Sequence, residues 1–190
     1  MITNYGTLKT AIGDWLKRSN LATAIPDLIA LGEVTLRDGI ENITPRGDVE
    51  ILAVRVREME TSKVYSPGDV DTDAPTSTDS ITAIDLPADY LEAKYIMHGK
   101  YAVERASAQS VIASRECSGI PTLFYRGGDM VLFGQTPTGT DDVSMSYYSD
   151  FTGALSNDSD TNTILTNYPN LYLYASLLAA EPYLMNDARL

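Results

Sequence analysis

The spacing of apolar residues along this chain changes period twice, and that change limits the folds open to it. Near the N-terminus Tyr5, Leu8, Ile12, Trp15 and Leu16 recur every three or four residues, the stripe that one face of an α-helix presents. The spacing predicts a helix over residues 4–18, with Thr3 or Asn4 as its N-cap. After a break at Ser19-Asn20, Pro26 suits the first turn of a second helix, on which Ile25, Leu28, Ile29, Gly32, Leu36 and Ile40 share one side. The two make a helical hairpin over residues 4–47, ended by Gly39 and Thr44-Pro45-Arg46-Gly47.

From Val49 the period shortens toward two. Ile51, Ala53 and Val56 sit among charged neighbours, and residues 81–85, 91–97, 101–106, 122–126, 130–133 and 143–148 read as strands. Leu86-Pro87-Ala88-Asp89-Tyr90 suits a short helical turn, His98 a strand end or turn, and Ser107 the start of a short helix. Gly127-Gly128-Asp129 suits a tight hairpin turn, and the last three strands form a β-meander with Val143, Met145 and Tyr147 facing inward. The helical period returns over residues 171–185. There Leu171, Tyr174, Ala175, Leu178 and Pro182 form one stripe and Leu173, Leu177, Ala180 and Leu184 another, a pattern expected of a helix covered on more than one side. The fold class is therefore α+β. The helical hairpin and a C-terminal helix (164–190) pack as a bundle, and an antiparallel β-rich region with a short helix (48–150) is inserted between them. All 190 residues fall in one domain.

Charge narrows the function. Fourteen Lys and Arg against 26 Asp and Glu leave a net charge of -12, the wrong sign for a protein whose affinity comes from neutralising phosphates. The lone cysteine, Cys117, cannot form an internal disulfide and fits a reducing compartment. No basic cluster followed by an apolar run opens the chain, and no stretch nears the roughly 18 apolar residues of a membrane helix, so neither signal peptide nor membrane contact is expected.

Catalytic constellations are missing. His98 is the only imidazole, no Gly-x-Ser-x-Gly elbow exists, and Gly127-Gly128 is not followed by the Lys and Ser/Thr of a phosphate loop. Two polar loops, residues 65–80 and 155–163, carry Asp69, Asp71 and Asp73 and Asp158 and Asp160, which invites a calcium reading. The spacing opposes it. An EF-hand loop begun at Asp69 puts Ala74 at the glycine position and Ser80 at the bidentate glutamate; begun at Asp158 it gives Thr163 and Pro169. No metal, cofactor or catalytic residue is assigned. Two rivals stay open: a virion or tail component that binds host glycans through its tyrosines, and a hydrolase built on carboxylates without a distinguishing motif.

Several segments, read in order, resemble the head-to-tail adaptor (head completion, or connector) proteins of short-tailed bacteriophages and related prophages. They are Tyr5-Gly6-Thr7-Leu8 with Ile12 and Trp15-Leu16; Ile25-Pro26-Asp27-Leu28-Ile29-Ala30-Leu31; Arg55-Val56-Arg57-Glu58-Met59-Glu60; and Leu86-Pro87-Ala88-Asp89-Tyr90-Leu91-Glu92. Gly119-Ile120-Pro121, Tyr147-Tyr148, residues 168–175 and Glu181-Pro182-Tyr183-Leu184 continue the series. The resemblance implies a non-enzymatic virion protein at the head-tail junction, assembled in the host cytoplasm. It implies a ring, commonly of twelve copies, between the portal protein and a tail or nozzle protein, with genomic DNA passing through unread. The family pattern generally runs on past the counterpart of Arg189-Leu190 with more helical sequence. Expected contact residues are those of the two polar loops (Tyr65, Asp69, Asp71, Asp73, Asp158, Asp160), the chain end (Arg189, Leu190), and Arg55 and Arg57, which with Glu58 suit either intersubunit ion pairs or a solvated strand face.

Overall fold

A computed structural model describes residues 1–18, 20–43, 49–66, 83–114, 119–135, 141–150 and 155–184. By contact the chain divides into two units, a helical one (Met1–Met59 with Asp150–Leu190) and a β-rich one (Glu60–Ser149).

In the helical unit the first stripe becomes α1 (Tyr5–Leu16), with Tyr5, Leu8 and Ile12 buried. Asn4 caps it: its side chain accepts from the Thr7 amide at 2.9 Å while the Asn4 amide donates to Thr7 Oγ1 at 3.0 Å, satisfying two amides that the helix itself cannot. Pro26 opens α2 (Ile25–Asp38), whose buried face is Ile25, Leu28, Ile29, Gly32 and Leu36. Ile40 does not extend that face as expected. Gly39, at φ +89°, ends the helix, and Ile40 opens β1 (Ile40–Ile43), paired antiparallel with β2 (Val49–Leu52). A Cβ at Gly39 would lie 2.6 Å from Ile51 Cγ2, so the hairpin folds back onto a position only glycine fits. A 3-10 turn, Arg57–Met59, follows.

Thr163, the last residue of the second polar loop by sequence, opens α4 (Thr163–Asn167), capped by the Asn162 side chain, so the helix expected over 164–190 begins as a separate short one; α3 (Ala108–Ala113) lies in the other unit. Then α5 (Pro169–Leu184) packs against α1 and α2. The bundle is therefore present. Gly32 sets its closest approach, because a Cβ there would sit 3.0 Å from the Ser176 amide nitrogen and 3.1 Å from the Ala175 carbonyl carbon.

The β-rich unit is a seven-stranded mixed sheet in the order β3 (Glu60–Tyr65), β9 (Val143–Ser149), β5 (Tyr90–His98), β6 (Tyr101–Arg105), β7 (Leu123–Gly127), β8 (Met130–Phe133), β4 (Ala83–Asp85). Two expectations are corrected. The last three strands are not a meander, since β9 leaves the β7–β8 hairpin and inserts between β3 and β5. The region is not wholly antiparallel either: β6 and β7 run parallel, joined by the crossover that parallel strands need, here carrying α3 (Ala108–Ala113). Residues 87–90 form a turn, closed by the Tyr90 amide on the Pro87 carbonyl at 3.0 Å, in place of a helical turn.

The inner face collects Tyr65, Ile84, Ile96, Val103, Phe124, Val131, Phe133, Val143, Met145 and Tyr147 in one core. The Tyr65 hydroxyl, on one outer strand, donates to the Asp85 carbonyl on the other at 2.7 Å, so the sheet curls until its two flanks meet. His98 ends β5, buried, and neither ring nitrogen finds a hydrogen-bond partner among the described residues.

Candidate assembly surface

The C-terminal helix departs from its sequence pattern in one respect. Its Tyr172, Leu173, Ala175, Ser176 and Ala180 face is buried, but Tyr174 and Leu178 stay 58% and 48% exposed. Leu171 of the same stripe is half-buried, so among the described residues the stripe is covered only in part. Leu171, Tyr174, Ala175 and Leu178 form one wall of a groove whose other wall is Thr35 and Leu36 of α2, with Ile40, Leu52 and Val54 from the β1–β2 hairpin. Trp15 of α1, 57% exposed, sets its ring edge against Tyr174 with centroids 5.9 Å apart and planes at 86°. Ile51 and Leu52 are also more than half exposed. A two-stranded hairpin alone is marginal in water, and large exposed apolar patches on proteins are commonly where partners bind.

The hairpin is held on its inner side. The Val54 amide donates to the Leu36 carbonyl at 2.9 Å, and Arg55 Nη1 donates to the Arg37 carbonyl at 3.1 Å, closing the end of α2. Behind the groove runs a buried polar chain. Tyr172 Oη, fully buried, donates to Glu33 Oε1 at 2.9 Å and accepts from Asn162 Nδ2 at 2.5 Å. Burial raises the Glu33 carboxyl above its ordinary range, and the Tyr172 hydroxyl donation only partly offsets this. Burial likewise pushes the Tyr172 phenol up. This chain ties α2, α5 and the cap of α4 behind the groove.

The residues expected to make contacts are scattered. Tyr65 is not on a loop but buried at the end of β3. Arg55 turns to backbone carbonyls of its own chain. Arg57 is exposed on the 3-10 turn, and neighbouring Glu58 accepts from Tyr168 Oη at 3.1 Å. Asp158 pairs with Lys9 at 2.6 Å. Asp160 accepts from the Asn157 and Ser156 amides, which hold its carboxyl below the usual range. Asp69, Asp71, Asp73, Cys117, Arg189 and Leu190 lie outside the described residues.

Sequence reasoning expected the helices to supply ring contacts and read Tyr174 as a core or interface residue, but it named none of Trp15, Ile40, Leu52, Tyr174 and Leu178 among the contact residues. The helical stripes were visible; how far these side chains stay exposed was not. Among the described residues no group of three or more His, Cys, Asp or Glu could hold a metal ion, and no helix is long and apolar enough to cross a membrane.

A search of curated proteins finds no match to this chain. The family model described as SU10 adaptor protein matches residues 3–190. A virion-building role accords with a surface that is apolar and open, and the chain belongs to the SU10 adaptor protein family, the phage head-to-tail adaptors.

Proposed function

We propose that copies of this chain assemble side to side into a ring, about twelve in number, that docks beneath the portal and offers the tail its attachment surface. The apolar face of the helical unit is the copy-to-copy contact in this reading. The observation that carries it is the open groove of α5, α2 and the β1–β2 hairpin beside Trp15.

Energetics favour assembly by copy number. Fully burying one large apolar side chain contributes roughly 1.5–3 kcal/mol, so the exposed parts of Trp15, Tyr174 and Leu178 supply a modest contact. A closed ring seated on another ring repeats that contact around its circumference, and the later contacts form within one complex. A net charge of -12 keeps free copies apart. It also suits a conduit for DNA, since like charge along the lumen repels phosphates and lets the duplex slide. No catalytic step enters.

Removing the gene from the phage tests the role. Heads that package DNA, lose it and gain no tails are expected; particles that keep their genomes and tails without this protein would overturn the proposal.

A further inference from the structure

Residues 155–162 cross the first turn of α1, and we infer that they are a strap that opens separately from the rest of the helical unit, hinged at Asn162. Its hold on α1 is polar. The Tyr5 amide donates to the Asp160 carbonyl at 2.8 Å and the Gly6 amide to the Asp158 carbonyl at 2.9 Å. Lys9 Nζ lies 2.6 Å from Asp158 Oδ1, whose side chain is 79% exposed. From 155 to 162 five residues are exposed and Leu155, Asp160 and Asn162 are half-buried, so Leu155 alone adds apolar burial, and that in part. Segments fixed mainly by hydrogen bonds and surface ion pairs, with little apolar burial, open at far lower free energy than the core.

The strap is stiff within itself. Asp160 Oδ2 accepts from the Ser156 amide and hydroxyl and from the Asn157 amide, so it moves as one piece. Its far end is anchored: Asn162 bonds buried Tyr172 and caps α4 through the Leu165 amide at 2.8 Å. At the near end the fit depends on Gly6, where a Cβ would meet Asp158 Cβ at 3.0 Å and the Asp158 carbonyl oxygen at 3.2 Å. Opening bares the first two amides of α1 and the Lys9 ammonium and leaves the Asn4 cap intact. Closure therefore depends on ionic strength, through the Lys9–Asp158 pair.

Amide hydrogen exchange on the full chain, read residue by residue by NMR, tests this. Tyr5 and Gly6 are expected to exchange at least roughly tenfold faster than Thr7 and Leu8, whose amides bond Asn4. Molar salt and Asp158→Asn should quicken only the first pair. Gly6→Ala should quicken Tyr5 as well, while the added methyl favours the helix itself. Two results would overturn the strap: exchange of Thr7 and Leu8 in step with Tyr5 and Gly6, which is fraying of α1, or exchange of Tyr5 and Gly6 as slow as that of Leu28 in α2.

Discussion

Two mid-helix glycines offer a matched experiment on the packing that shapes the apolar face. Replacing either Gly13 or Gly32 by alanine brings the same intrinsic gain, about 1 kcal/mol of helix propensity. Their surroundings differ. Among the described residues a Cβ at Gly13 meets only Ile25 Cδ1 at 3.6 Å, an ordinary contact, whereas at Gly32 it meets the α5 backbone at 3.0 and 3.1 Å. A side-chain tip can rotate away, but helix backbone cannot, so α2 and α5 must separate by a few tenths of an ångström. Overpacking of this kind costs about 1–3 kcal/mol. Gly13→Ala is thus expected to stabilise the helical unit by roughly 0.5–1 kcal/mol and Gly32→Ala to destabilise it by about 1 kcal/mol, a difference of about 1–3 kcal/mol. Urea unfolding followed by tryptophan fluorescence reads this directly, since Trp15 is the only tryptophan and packs on Tyr174 of α5. A Gly32→Ala midpoint equal to that of Gly13→Ala would refute the close approach.

Other consequences can be checked alongside. Tyr65→Phe removes the bond from the β3 side chain to the Asp85 carbonyl and should cost the β-rich unit about 1 kcal/mol in thermal unfolding; the same change should remove one of the two tyrosine titrations that burial pushes up to about 12, leaving that of Tyr147. Glu33 is an acid whose folded pKa is raised by burial, so its ionisation weakens the fold. Its penalty is absent below the unfolded value near 4.3, grows as pH rises above it and is complete once pH passes the folded one. Glu33→Gln should therefore match wild type at low pH and exceed it at pH 7, by up to about 1 kcal/mol; urea midpoints at several pH values that fall for the variant as for wild type would contradict this. Asp38 has the opposite sign, because Arg37 lowers its carboxyl. Asp38→Asn should lose stability above the ordinary carboxylate range and match wild type as pH falls below the folded value. Asn4→Ala deletes the α1 cap and should cost about 1 kcal/mol in the same unfolding assay.

How far the structure was legible depends on the reach of each interaction. α1, α2 and α5 were readable because each buries a stripe at helical spacing, and α1 and α2 also carry a cap residue or an early proline. β1 escaped notice because Ile40 fits both the helical face and a strand start, and only the positive φ at Gly39 separates the two readings. β3 escaped because an outer strand exposing Ser62, Lys63 and Val64 shows little alternation. The insertion of β9 between β3 and β5 pairs residues some 80 positions apart at Tyr65↔Val143, and no local spacing encodes that. The parallel β6–β7 pair had a visible cue, a helix between two strands. The assembly surface shows the sharpest limit. Periodicity reveals that the Leu171/Tyr174/Leu178 face is apolar, but a face covered by its own chain and one left for a partner have the same spacing.

In the proposed ring this face joins one copy to the next. Cryo-electron microscopy of the purified chain incubated with portal rings, for wild type and Leu178→Asp, tests it most directly. A closed ring on the portal, with Trp15, Tyr174 and Leu178 buried between neighbouring copies and lost in the variant, is the expected image. A ring that leaves those three side chains in solvent and forms equally well with Asp at 178 would contradict it.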